Sequence, residues 1–363
     1  DFRDIRGAPS STARTLRKER FDAFLHSIEP CEKHCLHYLH ILLPHGPWYY
    51  LPSGKTYFRD DVFDKKTLQR TEHEWPLIEI YQRHLLQVAF VDNLLGKLIA
   101  RLKALEMFDP SLIVVTADHG RSFWPGELGR NTLKAAHPED ILTVPLFIKA
   151  PYQKTGSVSD RNVETIDILP MIADLLKLDS DWTFDGCSPF AAGCAERPEK
   201  ILIRGPKRRG SFPSDIGLRT DTLKRKIALF GSGAKPHGLF AVGSYPHLVG
   251  RNVSEIGIQG GAAEGASVTV VSPLESPASS DYVPARFAAL LHSAEEIQKA
   301  PQVAVAVNGV IEAVVPAVRD DRSRWVVSAM VPEDSLRESG NKLQFFLVQG
   351  GAERPRLLQI PSR

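Results

Sequence analysis

The sequence predicts an α/β protein with a parallel sheet covered by helices on both faces, followed by a smaller all-β region. Three observations carry this prediction. Short apolar runs alternate with longer segments of helical period up to about Gly205. The texture then shifts to Gly, Pro and basic residues from Pro206 to Gly261. From about Gln302 the chain reads as strands only, with Asn308-Gly309, the preferred type I′ dipeptide, between two β-branched runs.

Residues 13–27 carry helix formers and end before Pro30. Leu36–Leu43 is a short apolar run of the kind buried on both faces of a parallel sheet. Pro44 closes it, and a Gly/Pro/Tyr-rich loop follows through Trp48–Gly54, where open α/β sheets place ligand loops. A long helix is predicted from about Leu77 to Met107, with the stripe Tyr81, Leu85, Val88, Leu95, Ile99 and Leu102. Asp92 stands where an apolar residue is due, so a buried carboxylate bonded to a nearby loop is expected there, in preference to a catalytic one. Asp109-Pro110 ends the helix. Further strands are predicted at Leu112–Thr116, Val144–Ile148 and Ile201–Ile203, with a helix at Glu164–Leu178. A hairpin is expected around Lys224–Phe230 and Gly238–Val242. The last strands are Val303–Val307, Val310–Val314, Trp325–Met330 and Leu343–Val348.

Composition narrows the class. A chain of 363 residues suggests two or three domains. Hydrophobic residues at 43% and charged residues at 24% exclude a mostly disordered chain. Lys plus Arg (45) nearly balances Asp plus Glu (43), so no electrostatic footprint of a nucleic-acid binder exists. No apolar run reaches the length of a membrane span, and no leader pattern is visible. The first residue is Asp1, which leads us to expect a piece of a longer or processed product.

The cysteines lie in two close pairs, Cys31/Cys35 and Cys187/Cys194. Local disulfides in an oxidising compartment and four separate thiols are both compatible with that spacing. A zinc cluster of Cys31, His34, Cys35, His37 and His40 is not expected, because strand alternation would turn His34 and His40 away from His37.

Asp118-His119-Gly120 follows a predicted buried strand, and a carboxylate beside an imidazole suits a hard or borderline divalent cation. His45 stands at the end of another predicted strand. Lys134, His137 and Glu139 lie in the loop before a third. A metal with cationic groups around it suits a tetrahedral anion, a phosphate or a sulfate.

Five stretches, HYLHILLPHGPWYYLPSGKTY, YQRHLLQVAFVDNLLGKLI, LIVVTADHGRSF, VPLFIKAPYQ and ETIDILPMIADLLKL, stand in an order that resembles the sulfatase-like branch of the alkaline phosphatase superfamily, in particular membrane-anchored sulfatases and relatives of lipoteichoic acid synthase. The resemblance covers about Arg20 to Gly205. It implies the C-terminal part of a three-layer alkaline phosphatase-like sandwich with a small C-terminal β domain. The implied layout is a sulfatase-like α/β domain over 1–205, an irregular connecting region over 206–300 and a β-rich appendage over 301–363. It implies Asp118 and His119 as ligands of a divalent metal (Mn, Ca, Mg or Zn), His45 as a catalytic residue that also contacts the transferred group, and Lys134 and His137 as substrate-binding residues. Asp92 and the Asp167–Pro170 turn are implied to be structural.

The family's N-terminal strand, with its acidic ligand and its Thr, Ser or Cys nucleophile, finds no match in this chain. The expectation is therefore an N-terminally truncated, inactive fragment. The intact protein would be a sulfuric ester hydrolase or a phosphoglycerol/phosphoethanolamine-type transferase. It would act on a sulfate- or phosphate-ester substrate in the periplasm or outside the cell, held to the membrane by N-terminal helices. Asp118, His119 and His45 are expected to converge at one edge of the sheet. The alternative is a non-catalytic surface module whose β domain binds glycan or protein.

Overall fold

The computed structural model describes residues 16–32, 34–58, 62–63, 67–68, 74–130, 137–179, 181–203, 209–218, 221–231, 238–256, 262–272, 281–294, 299–351, 353 and 355–362. In chain order its elements are α1 (Leu16–His26), α2 (Trp75–Ala104), β1 (Ile113–Thr116), α3 (Glu139–Leu142), β2 (Leu146–Lys149), α4 (Ile168–Leu175), β3 (Glu199–Ile203), β4 (Arg209–Pro213), α5 (Asp221–Phe230), α6 (Val253–Ile256), β5 (Ala266–Val270), β6 (Arg286–Ser293), β7 (Gln302–Val307), β8 (Val310–Pro316), β9 (Val318–Arg319), β10 (Trp325–Met330), β11 (Leu343–Gln349) and β12 (Arg356–Ile360). The chain is thus mixed α/β. It divides into two compact units, one of Asp1–Ser27, Leu36–Lys97 and Arg225–Arg363, the other of Ile28–Cys35 and Leu98–Lys224. No helix among the described residues is long and apolar enough to cross a membrane.

The first unit holds two four-stranded antiparallel sheets, ordered β5-β6-β10-β9 and β12-β11-β7-β8. Strands β7, β8 and β10 are buried along nearly their whole length, so they read as Val/Ala-rich runs without alternation. The Asn308-Gly309 turn joins β7 to β8 with φ of 53° and 90°, both positive, as a type I′ turn requires. These strands share a core with the rest of the unit. Leu51, Tyr57 and Leu86 pack with Phe240, Val283, Ala285 and Met330. The Trp75 indole N–H donates to Ser328 O at 3.0 Å. The expected β-rich stretch 301–363 is therefore one part of a unit to which α2 up to Lys97 also belongs.

Helix α2 corrects two expectations. Every residue from Trp75 to Arg83 is buried, and further along the buried line is Leu86, Gln87, Phe90 and Leu94. Val88 and Asp92 face solvent. The first turns are covered on all sides, so Glu79, Gln82 and Arg83 sit among apolar neighbours and blur the phase of the stripe. Exposed, Asp92 needs no buried donor. Residues 36–43 are a further correction: among the described residues they form no strand, and Leu36 is 86% and Tyr38 78% exposed. An apolar run becomes a buried strand only if a ladder partner and a covering layer exist, and among the described residues this one has no ladder partner.

In the second unit β1 pairs with β2 antiparallel, Thr116 opposite Leu146 and Ile113 opposite Lys149. Every ladder among the described residues is antiparallel, which overturns the predicted parallel sheet. A parallel connection must carry the chain back to the end where the strand began. Here the chain leaves β1 and enters β2 at the same end, and among the described residues between them the one helix is the short α3. β3, expected in the same sheet, pairs with β4 instead. The stretch expected to start a hairpin at Lys224 is helix α5, where Leu, Lys, Arg and Ala favour the helix and Asp221 opens its first turn.

Both cysteine pairs are disulfides, Cys31–Cys35 and Cys187–Cys194. The second closes a loop tied to the turn before α4. Asp167 accepts from the backbone N–H groups of Glu164 (2.8 Å) and Cys187 (3.0 Å), and from both terminal nitrogens of Arg197. Gly186 is obligatory beside it, because a Cβ there would fall 2.4 Å from Ile166 O.

Candidate functional site

The loop between β1 and β2 carries most of the predicted site residues. Its anchor is Gly120, whose N–H donates to Ile141 O at 2.8 Å. A Cβ on Gly120 would lie 2.2 Å from Asp140 O, so the backbone of α3 can approach only a glycine. Gly120→Ala is expected to push α3 off the end of β1 and destabilise the protein by about 1–3 kcal/mol. A thermal melt of the variant unchanged from wild type would contradict this.

That anchor orients His119. Its Nδ1 lies 2.7 Å from Gly120 O and its Nε2 lies 2.7 Å from Arg130 Nη1. A carbonyl can only accept and a guanidinium can only donate, so Nδ1 carries the proton and Nε2 offers its lone pair. The His119 N–H donates to Asp118 Oδ1 at 3.0 Å. Asp118 Oδ2 stands 3.7 Å from His119 Nε2, and the Asp118 side chain is 82% exposed. Two lone-pair acceptors thus face one another at the end of β1.

Around them the loop folds back between Ser122 and Gly129, which exchange backbone hydrogen bonds at 2.9 and 3.0 Å. This return brings Arg130 to His119. Burial, together with the positive charge of Arg130, pushes the Arg121 guanidinium below its ordinary value. His137 stacks on Trp124, with ring centroids 3.8 Å apart and planes at 11°. Its N–H donates to Glu127 Oε2 at 3.3 Å, and its Nδ1 lies 3.4 Å from Glu139 Oε1. Lys134 lies outside the described residues.

His45 belongs to the first unit, whereas Asp118, His119 and His137 belong to the second. Its loop is held by buried side chains. Arg17 donates to the carbonyls of His45 (2.6 Å) and Gly46 (3.0 Å), and Gln87 donates to those of Pro44 (3.1 Å) and His45 (3.0 Å). The imidazole is exposed, with Nδ1 2.6 Å from Gly46 O. As in His119, Nδ1 is the donor and Nε2 the accepting nitrogen.

The donor set at Asp118 and His119 fits a divalent cation. A carboxylate oxygen and an imidazole nitrogen suit Mn, Mg or Zn, and a ligating histidine characteristically donates its other N–H to a carbonyl, as His119 does to Gly120. Two protein ligands are fewer than any of these ions takes. Among the described residues no third His, Cys, Asp or Glu completes a cluster with them. Arg130 and Trp124 carry no signal in the sequence, since only closure of the loop brings Arg130 to His119 and Trp124 to His137.

The Sulfatase family model matches residues 10–178. Over 108 residues the chain is 32% identical to the multifunctional alkaline phosphatase superfamily protein PehA of Trinickia caryophylli, covering 28% of this chain and 20% of that protein. The chain thus spans about a fifth of the length of that relative. Residues 10–178 are thus similar to the Sulfatase family, and part of the chain is similar to a protein of the alkaline phosphatase superfamily.

Proposed function

We propose that the protein is a metal-dependent enzyme of the sulfuric ester hydrolase or phosphoglycerol/phosphoethanolamine-type transferase kind, acting on a sulfate- or phosphate-ester substrate outside the cytoplasm. The observation that carries the reading is the facing pair of Asp118 Oδ2 and His119 Nε2, 3.7 Å apart, with Nδ1 tied back to Gly120. Asp118 and His119 hold the ion, which when bound supplies Lewis acidity to the ester's non-bridging oxygens. His45 offers an exposed imidazole for proton transfer or for contact with the transferred group. Lys134 and His137 contribute positive charge or hydrogen-bond donors to the anion. The substrate's nucleophilic partner comes from residues beyond these. The two disulfides support an oxidising location, periplasmic or extracellular.

With two ligands among the described residues, calorimetry with Mn²⁺, Zn²⁺ or Mg²⁺ is expected to show weak binding, lowered at least about tenfold further by Asp118→Asn. Tight binding that survives Asp118→Asn would place the metal elsewhere. Assay of the gene's complete product on an aryl sulfate and an aryl phosphate separates the two chemistries. Turnover of neither, with metal present, would defeat the reading.

A further inference from the structure

We propose that Arg130 occupies the metal-binding lone pair of His119, so that a divalent cation enters this site only by displacing the Arg130 guanidinium. The proposal rests on the reading of Asp118 and His119 as metal ligands. It goes beyond that reading in assigning a competing residue within the same loop.

The geometry leaves little alternative for the ring. Nδ1 is committed to Gly120 O at 2.7 Å, so Nε2 is the single nitrogen with a lone pair to give. That lone pair already accepts from Arg130 Nη1 at 2.7 Å. An imidazole nitrogen has one in-plane lone pair, and a hydrogen bond and a coordinate bond cannot share it. Metal–nitrogen bonds are about 2.0–2.2 Å long, so a bound ion would stand almost where the donating N–H now lies. Guanidinium and dication would also repel at that distance. Arg130 therefore weakens metal binding twice, by holding the ligand atom and by its charge.

Two features suit Arg130 to yield. Its side chain is exposed, so it can swing into water without leaving a buried gap. It is carried just after Gly129, whose φ of 118° and backbone exchange with Ser122 set the direction of the returning strand.

The test compares the full 363-residue chain with Arg130→Ala and Arg130→Gln. Calorimetric titration with Mn²⁺ is expected to show about tenfold tighter binding in both variants than in wild type. A metal-free readout accompanies it: carbethoxylation of His119, followed by peptide mass spectrometry, is expected to run several-fold faster in both variants, because Nε2 is released. Equal affinity or equal labelling in wild type and variants would overturn the proposal while leaving the metal reading intact. Binding by none of the three proteins would defeat the metal reading together with it. Circular dichroism melts confirm that the exposed substitutions leave the fold unchanged.

Discussion

Arg286→Ala is expected to destabilise the protein by about 3–5 kcal/mol, the effect of stripping one partner from a buried ion pair. Glu79 is 0% and Arg286 1% exposed, and Arg286 Nε donates to Glu79 Oε1 at 2.6 Å. The Ser328 hydroxyl donates to the same oxygen at 2.8 Å. Burial opposes ionisation of Glu79, but the charges of Arg286 and Arg83 outweigh it and hold the carboxyl below its ordinary range. Burial pushes the Arg286 guanidinium down, against the pull of Glu79. This pair ties α2 to β6 and β10 inside one unit, so its loss loosens the helix from the sheets. Urea denaturation measures the effect. The double variant Glu79→Leu/Arg286→Met is expected to recover part of it, because one of the two buried cations leaves with the carboxylate, while the buried Arg83 loses the negative charge it faces. A loss below about 1 kcal/mol for Arg286→Ala would show that the cavity admits water. The pH dependence has a definite sign. A carboxyl held below its unfolded value stabilises the fold at neutral pH, and that contribution fades as acid titrates it through the lowered folded value.

Asp167→Ala is expected to cost about 2–4 kcal/mol, through several lost hydrogen bonds and one lost charge partner. Asp167 is buried, whereas Arg197 keeps 29% of its side chain in water, so the stranded guanidinium is solvated and the cost falls below that at Glu79. Burial raises the Asp167 carboxyl, but hydrogen bonds from Arg197, Glu164 and Cys187 hold it below its ordinary range. Its contribution is likewise present at neutral pH and lost in acid. The same residue positions the loop closed by Cys187–Cys194, where Ser188 Oγ donates to Asp174 Oδ2 at 2.7 Å. Limited proteolysis should therefore cut the variant faster near Cys187. Wild-type protection there, with an unchanged melt, would mean that the disulfide alone holds the loop.

The sequence by itself determined those features that local chemistry settles. Asn308-Gly309 could only be a hairpin turn, since both residues tolerate positive φ. Asp118-His119-Gly120 carried its own logic: the carboxylate and imidazole are neighbours, and Gly120 is the residue that lets α3 approach. The family resemblance over five ordered stretches was legible because it sums many positions, and the match at residues 10–178 falls on the same stretch.

Tertiary structure decided what depends on distant partners. Whether Leu36–Leu43 pairs, and whether β1 and β2 run parallel, are questions of which strand lies alongside, and an apolar run reads the same in either case. Asp92 looked buried because periodicity assumes a single covered face, while the first turns of α2 are covered on every side and shift the phase. The Glu79–Arg286 pair joins residues far apart in the chain, and no local pattern marks a charge that will be buried. Arg130 reaches His119 only because the chain turns back between Ser122 and Gly129, a path fixed by backbone hydrogen bonds and not by side-chain type.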